Sequence, residues 1–220
     1  MHDPHPHLTR AYLDAIERGD NDQADRIGAA LDARGEADAA AERDRLEGPD
    51  ALRRAAAFYA AHGIPVFPLV PGGKVPATGH GFKDATTDEY VVGSWWRLTP
   101  EANIGTPTGP NPPGCGYDVI DLDGADGVRS FYGLPEDERG VPPIVARSRT
   151  TRPGGWHLWV KATGRANRAG MSPGVDYRGG RHDGTGRGYV VLPPSRRLVD
   201  GVVRRYAWVD VLPDLLGGAS

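Results

Sequence analysis

Apolar residues recur at helical spacing near the start of the chain. Leu8, Tyr12 and Ile16, then Ala24, Ile27 and Leu31, stand three or four residues apart within alanine-rich stretches. The pattern predicts helix over residues 8–47, broken at Gly19-Asp20-Asn21, where Asp20 or Asn21 can cap the second helix. The opening heptapeptide MHDPHPH carries three His, and it reads as a frayed terminus rather than a metal trap. Gly48-Pro49-Asp50 marks a boundary. Asp50 is placed to cap a helix from Leu52 to His62, and Gly63 suits its end.

Beyond that helix the period shortens. Ile64-Pro65-Val66-Phe67-Pro68-Leu69 predicts an edge strand, because each proline removes a ladder donor. Pro71-Gly72-Gly73-Lys74 is a tight basic turn, Asp88 opens a short helix through Trp96, and Asn103 to Thr108 is a short strand or loop. Gly116 to Asp123 is the clearest strand of the chain, ended by Gly124 and followed by a helix to Gly133. Ile144 to Ser148, Trp156 to Lys161, Gly188 to Leu192 and Arg204 to Val209 are further strands between Gly-, Pro- and Arg-rich loops. A strand–helix–strand–strand order with such connections predicts an α+β sheet domain over residues 51–212, preceded by a helical segment over 1–48.

Composition sharpens this picture. Gly 31 and Pro 20 together make 51 of 220 residues, with no G-X-Y period, which signals loops and turns and not collagen. The single cysteine, Cys115, excludes an internal disulfide framework and a cysteine-rich zinc site. No apolar run approaches the ~20 residues of a membrane span, and no signal-peptide core is present, so a soluble, cytoplasmic chain is expected. The net charge of −3 hides a division: residues 1–50 hold six Arg against thirteen Asp and Glu, a net of −7. Residues 147–205 hold thirteen Lys and Arg against Asp176, Asp183 and Asp200, a net of +10. A phosphate-rich partner, nucleic acid or nucleotide, fits that segment, and so does an ordinary solvated surface.

Several side chains can carry chemistry. Asp121 and Asp123, two apart on one strand, point to the same face, while Asp118 points to the other. Side by side they repel, and hard oxygens at this spacing suit Mg²⁺ or Mn²⁺ shared with phosphate; a strand end meeting solvent is the plainer reading. His157 follows the Gly154-Gly155 turn, where a ligand can approach the backbone and the imidazole can donate to phosphate; a histidine hydrogen-bonded within a sheet is the alternative. Asp176 and Arg178 share a strand face, either as part of a site or as a pair bracing a loop. Cys115, between two glycines, reads as a small structural residue, and Trp95-Trp96 as core.

In order, the segments are FYAAHGIPVFPLVPGGKVPATGHGFKDATTD, EANIGTPTG after a Trp pair, YDVIDLDG, TTRPGGWHLWV, VDYRGG, GYVVLPPS and RRYAWV. From about Leu52 to Val209 this resembles the bifunctional DNA primase/polymerase (prim-pol) N-terminal domain family of the archaeo-eukaryotic primase superfamily. The resemblance implies an RRM-like catalytic sheet with a second small α/β lobe. It implies template-directed nucleotidyl transfer, making primers or extending DNA from NTPs or dNTPs on single-stranded DNA. It places the catalytic and metal-binding carboxylates on Asp121, Asp123 and Asp176, with Mg²⁺ or Mn²⁺ as cofactor. It places the nucleotide site on His157 and Gly155, with Arg178 and Lys74 as further phosphate-binding residues. The stretch Arg181 to Arg187 is longer than the family's usual link, no zinc-binding insertion is present, and residues 1–48 match nothing in the pattern. A helicase or replication initiator is expected in trans. Two other classes remain open: a non-catalytic DNA-binding replication factor that keeps the fold, and a glycosyltransferase-like enzyme using D-x-D. The lack of a long Rossmann-type half before Asp121 counts against the last.

Overall fold

The computed structural model describes residues 6–31 and 50–213. α1 (Pro6–Glu17) starts with proline, which suits a first turn whose N–H groups have no helical partner. α2 spans residues 21–31. Between them Gly19 takes a φ of +71°, and the Asp20 carboxylate accepts from the Gln23 N–H at 3.0 Å, the cap expected from the sequence. The remainder of the predicted helical stretch, 32–47, lies outside the described residues, as do residues 1–5.

α3 (Ala51–Ala61) leads into β1 (Phe67–Leu69), a short 3-10 turn at Gly81–Asp84, α4 (Glu89–Leu98) and β2 (Asn103–Pro107). Asp88 caps α4 by accepting from the N–H groups of Tyr90 and Val91 at 2.9 and 3.1 Å. Asp50 does not cap α3. Its backbone is already near-helical at φ −98°, ψ 0°, which turns the carboxylate away from the first N–H groups, and it pairs with Arg53 at 3.2 Å.

The described residues after β2 are mainly strand: β3 (Tyr117–Leu122), α5 (Gly124–Tyr132), β4 (Ile144–Arg149), β5 (Trp156–Lys161), β6 (Arg168–Ser172), β7 (Val175–Arg178) and β8 (Tyr189–Leu192). Then come β9 (Arg196–Val199), β10 (Val202–Arg205) and β11 (Ala207–Asp210). The strand expected over Arg204 to Val209 is therefore two strands in different sheets. The chain changes partner at Tyr206, whose N–H goes to the Ser195 carbonyl at 2.8 Å and not to a ladder.

Three antiparallel sheets result: β11-β4-β5-β3-β7-β6, β1-β2-β8 and the hairpin β9-β10. β3 lies inside the large sheet, between β5 and β7, and both its faces are covered. Ile120 and Leu122 pack with Tyr12, Ile16, Leu31, Val128 and Phe131 of α1, α2 and α5. Tyr117 and Val119 pack on the other face with Trp159, Trp208, Trp96 of α4, Tyr59 of α3 and Ile104 and Leu192 of the small sheet. This two-sided burial explains why YDVIDL alternates in direction yet is apolar in both phases. No helix among the described residues is long and apolar enough to cross a membrane.

Candidate active site

Strand register brings the candidate residues together. On β3, Asp121 faces His157 of β5 on one side and Asp176 of β7 on the other. Residues directly opposite in an antiparallel ladder share a face, so the three side chains form a row across the sheet. Ser148 of β4 extends the row beyond His157, and its hydroxyl accepts from the Trp159 indole at 3.1 Å. Arg178 lies opposite Val119, one step along the same face from Asp176. Gly124, at φ +68°, turns the chain from β3 into α5 just after Asp123.

The row is held by mixed charges. The Arg178 guanidinium meets Asp176 at 2.6 Å and Asp121 at 3.5 Å, so one cation bridges both carboxylates. Asp176 also accepts from the Gly170 N–H at 2.7 Å. Asp123 pairs with Arg152 of the β4–β5 turn at 3.3 Å and is the more solvent-exposed of the two D-x-D acids. Among the described residues, no group of three or more His, Cys, Asp or Glu side chains is gathered as a ready-made metal cage. The acids are instead turned toward arginines, Asp121 and Asp176 toward Arg178 and Asp123 toward Arg152.

His157 is buried, with its Nε2 3.6 Å from Asp121. Burial pushes its pKa down from 6.5 to about 4; the Asp121 charge opposes this, while Lys74 and Arg178 reinforce it. The ring is therefore neutral near pH 7, with its buried Nδ1 lacking a hydrogen-bond partner. That leaves a polar atom unsatisfied in a dry place, which costs stability unless a ligand or water meets it. Tyr206 packs on the ring at 5.8 Å between centroids.

Lys74 stands exposed on the turn after β1, and its carbonyl accepts from the Tyr189 hydroxyl at 3.1 Å. Its positive charge is one of the lesser causes that lower the His157 pKa. Gly155 is tied into the β4–β5 turn by N–H donation to the Arg152 carbonyl at 2.9 Å, and a side chain there would strike Thr150 and Arg152. Its lack of a Cβ is thus explained by the turn itself.

Asp118 faces away from the row, as its odd spacing from Asp121 requires. It accepts from the Tyr177 hydroxyl at 2.6 Å and from the Thr163 N–H at 2.8 Å, and burial raises its pKa. Cys115 is buried, with its thiol pKa pushed up to about 11 by desolvation, in keeping with a structural residue. Trp96 is wholly buried and donates to the Ala102 carbonyl at 2.8 Å. Sequence reasoning missed Ser148, Arg152 and Tyr206 as neighbours of the site. Arg152 precedes the Pro153-Gly154-Gly155 turn and was within reach of a turn argument; Ser148 and Tyr206 depend on strand pairing and sheet exchange that no local pattern encodes.

A family model described as bifunctional DNA primase/polymerase, N-terminal, matches residues 56–215, a span that includes Lys74, Asp121, Asp123, Gly155, His157, Asp176 and Arg178. The match supports a primase/polymerase-family function. No curated protein matches the chain.

Proposed function

Because the chain belongs to the bifunctional DNA primase/polymerase N-terminal domain family, we propose that it is a nucleotidyltransferase making primers, extending DNA, or both, from NTPs or dNTPs on a single-stranded DNA template. The observation that carries this reading is the in-register row His157–Asp121–Asp176 with Arg178 bridging its two acids. In this reading residues 51–212 are the catalytic domain, with β4-β5-β3-β7 and α5 as an RRM-like sheet. The small sheet β1-β2-β8 with α3 and α4 is the second lobe, and residues 1–48 are an accessory segment.

Asp121, Asp123 and Asp176 are the residues that would hold Mg²⁺ or Mn²⁺. The donors fit in kind: they are hard carboxylate oxygens, and Asp121 and Asp176 already share one cation, the Arg178 guanidinium. When bound, such ions supply charge stabilisation to the attacking 3′ oxygen and the leaving pyrophosphate. The chain's own groups do the rest. Neutral His157 can donate one N–H to a phosphate oxygen without itself carrying charge. Arg178 and Lys74 add positive charge on the same side, and Arg suits bidentate phosphate contact. Gly155 serves the site through the tight turn that leads into His157.

A second reading has its own observation. Each acid of the site is engaged by an arginine, as in a chain that keeps the fold to bind DNA without synthesis. Incubation with single-stranded DNA, labelled nucleotides and Mg²⁺ or Mn²⁺, with and without an annealed primer, separates the two. Product without primer shows priming, product only with primer shows extension, and no product under either ion overturns the synthesis reading in favour of the second.

A further inference from the structure

The hairpin β9-β10 belongs to neither larger sheet; among the described residues its strands pair only with each other. Asp200-Gly201, with φ of 50° and 77°, closes it in the two-residue turn that suits the right-handed twist of a ribbon. Its register sets Arg196 opposite Arg205, Arg197 opposite Arg204, Leu198 opposite Val203 and Val199 opposite Val202. Opposed residues share a face, so each face carries an arginine pair at the root and an apolar pair toward the tip. Like charges directly opposite weaken a ladder, and a lone two-stranded hairpin is marginal to begin with. Glu101 pairs with Arg196, and the Arg197 Nε is buried with no hydrogen-bond partner. At the tip, Leu198 is 67% exposed and Val203 46%, too open to serve as core.

The root of this hairpin is fixed to the rim of the acid row. Tyr206, which follows β10, donates its N–H to Ser195 and lays its ring against His157. At the other strand, Asn103 accepts from the Arg196 N–H at 2.9 Å and donates to the Arg196 carbonyl at 2.7 Å. The same amide donates to the Gly73 carbonyl at 2.9 Å, beside Lys74. One amide thus holds the root of the hairpin beside the turn that carries Lys74.

We propose that β9-β10 is an arm that grips single-stranded DNA, its arginine pairs contacting phosphates and Leu198, Val202 and Val203 lying against unstacked bases. The inference rests on the reading that the acid row copies a DNA template. Charge complementarity names a polyanion. The apolar pairs choose the single strand, because a duplex keeps its base faces stacked inside while a single strand offers them.

The test uses the full chain and a labelled DNA strand of about 20 nucleotides, longer than the ~4–16 that one small fold covers. Binding is followed by anisotropy across a salt series. Arg197→Gln/Arg204→Gln should weaken binding at least about tenfold and flatten the log–log salt slope by about 1.4, the value for two single-strand phosphates. Arg197→Lys/Arg204→Lys should keep the slope. ATP binding measured by calorimetry should be unchanged in both, and thermal unfolding establishes that each variant is folded before its strand binding is read. Leu198→Ser/Val203→Ser, at solvent-facing positions, keeps the test open if the glutamine pair unfolds: it should weaken strand binding several-fold and leave the slope alone. Wild-type affinity and slope in the folded glutamine pair would overturn the arm, and so would a loss confined to duplex DNA. A chain that makes no DNA yet loses strand binding in that variant overturns the synthesis reading and leaves the arm standing. A chain that makes DNA and binds strands normally in that variant overturns the arm alone.

Discussion

Asp121 and Asp176 stand directly opposite each other across the β3–β7 ladder. Two carboxylates so placed repel, and Arg178 offsets the repulsion unevenly: it lies 2.6 Å from Asp176 but 3.5 Å from Asp121. Asp176 has a further bond from the Gly170 N–H, so the two acids have different structural weight although they share one proposed role.

That asymmetry predicts a split between activity and stability. Asp121→Asn and Asp176→Asn should each lower metal-dependent synthesis by ~10³-fold or more, the scale expected when a charge-stabilising ion is lost. In EDTA, Asp121→Asn should leave the unfolding midpoint unchanged or raise it, since it removes one of two facing charges. Asp176→Asn should cost about 1–2 kcal/mol, because it weakens two short bonds, one of them charge-assisted. Asp123→Asn, beside the exposed Arg152 pair, should lose synthesis with little change in stability. Near-normal synthesis in Asp121→Asn would remove the basis for the metal assignment.

His157 gives a pH prediction whose sign follows from burial. Its folded pKa is about 4 and its ordinary value 6.5, so between these the unfolded chain binds the proton more readily. Stability from this group is fully present above pH 6.5 and falls as pH drops toward 4, by on the order of 3 kcal/mol in all. His157→Gln in EDTA should flatten the urea midpoint over that window, leaving the carboxylates to dominate below it. An unchanged pH profile in the variant would mean that His157 is solvated rather than buried.

The local elements were largely legible. Asp88 before an apolar run gave the cap of α4, and Gly116 to Asp123 gave β3 within a residue or so, because both signals are short-range. The parity of Asp118 and Asp121 was legible as well, since it needs only the period of two. The pairing of His157 and Asp176 with Asp121 was not: register between distant strands is set by packing on both faces of the sheet, and the primase/polymerase resemblance implied only that the three share a site. Strand β6 was missed because RAGMS is exposed and poor in branched or aromatic residues. The β9-β10 hairpin was within reach, since Asp200-Gly201 lies between RRLV and VVRR, a strong short-range hairpin signal.

The far face of the site carries its own brace. Tyr177 lies between Asp176 and Arg178 on β7, and its hydroxyl donates to Asp118 of β3 at 2.6 Å. The bond ties together the two strands that present the facing acids. Tyr177→Phe leaves the buried Asp118 carboxylate with only its Thr163 donors, and should cost about 1–3 kcal/mol in urea unfolding. Thr163→Ser, which keeps both donors, should cost much less. Equal losses in the two variants would point to packing rather than to the hydrogen bond.

The packing of the N-terminal helices and their proposed accessory role pull in different directions. Tyr12 stacks on Trp156 at 5.9 Å between ring centroids, and Arg149 donates to the Leu31 carbonyl at 2.9 Å. Tyr12, Ile16 and Leu31 share a buried cluster with Ile120 and Leu122, on the face of β3 opposite to Asp121. A chain starting at Asp50 uncovers that face. Each large apolar side chain removed from water contributes about 1.5–3 kcal/mol, so several lost together approach the ~5–15 kcal/mol that holds an ordinary domain. The truncated chain should therefore melt well below the full chain and aggregate on warming. The acid row lies on the other face, so whatever fraction folds at low temperature should bind ATP with unchanged affinity. Matched melting of the two chains would mean that the helices are dispensable to the core. Lost ATP affinity in a folded truncation would mean that they reach the site through the sheet.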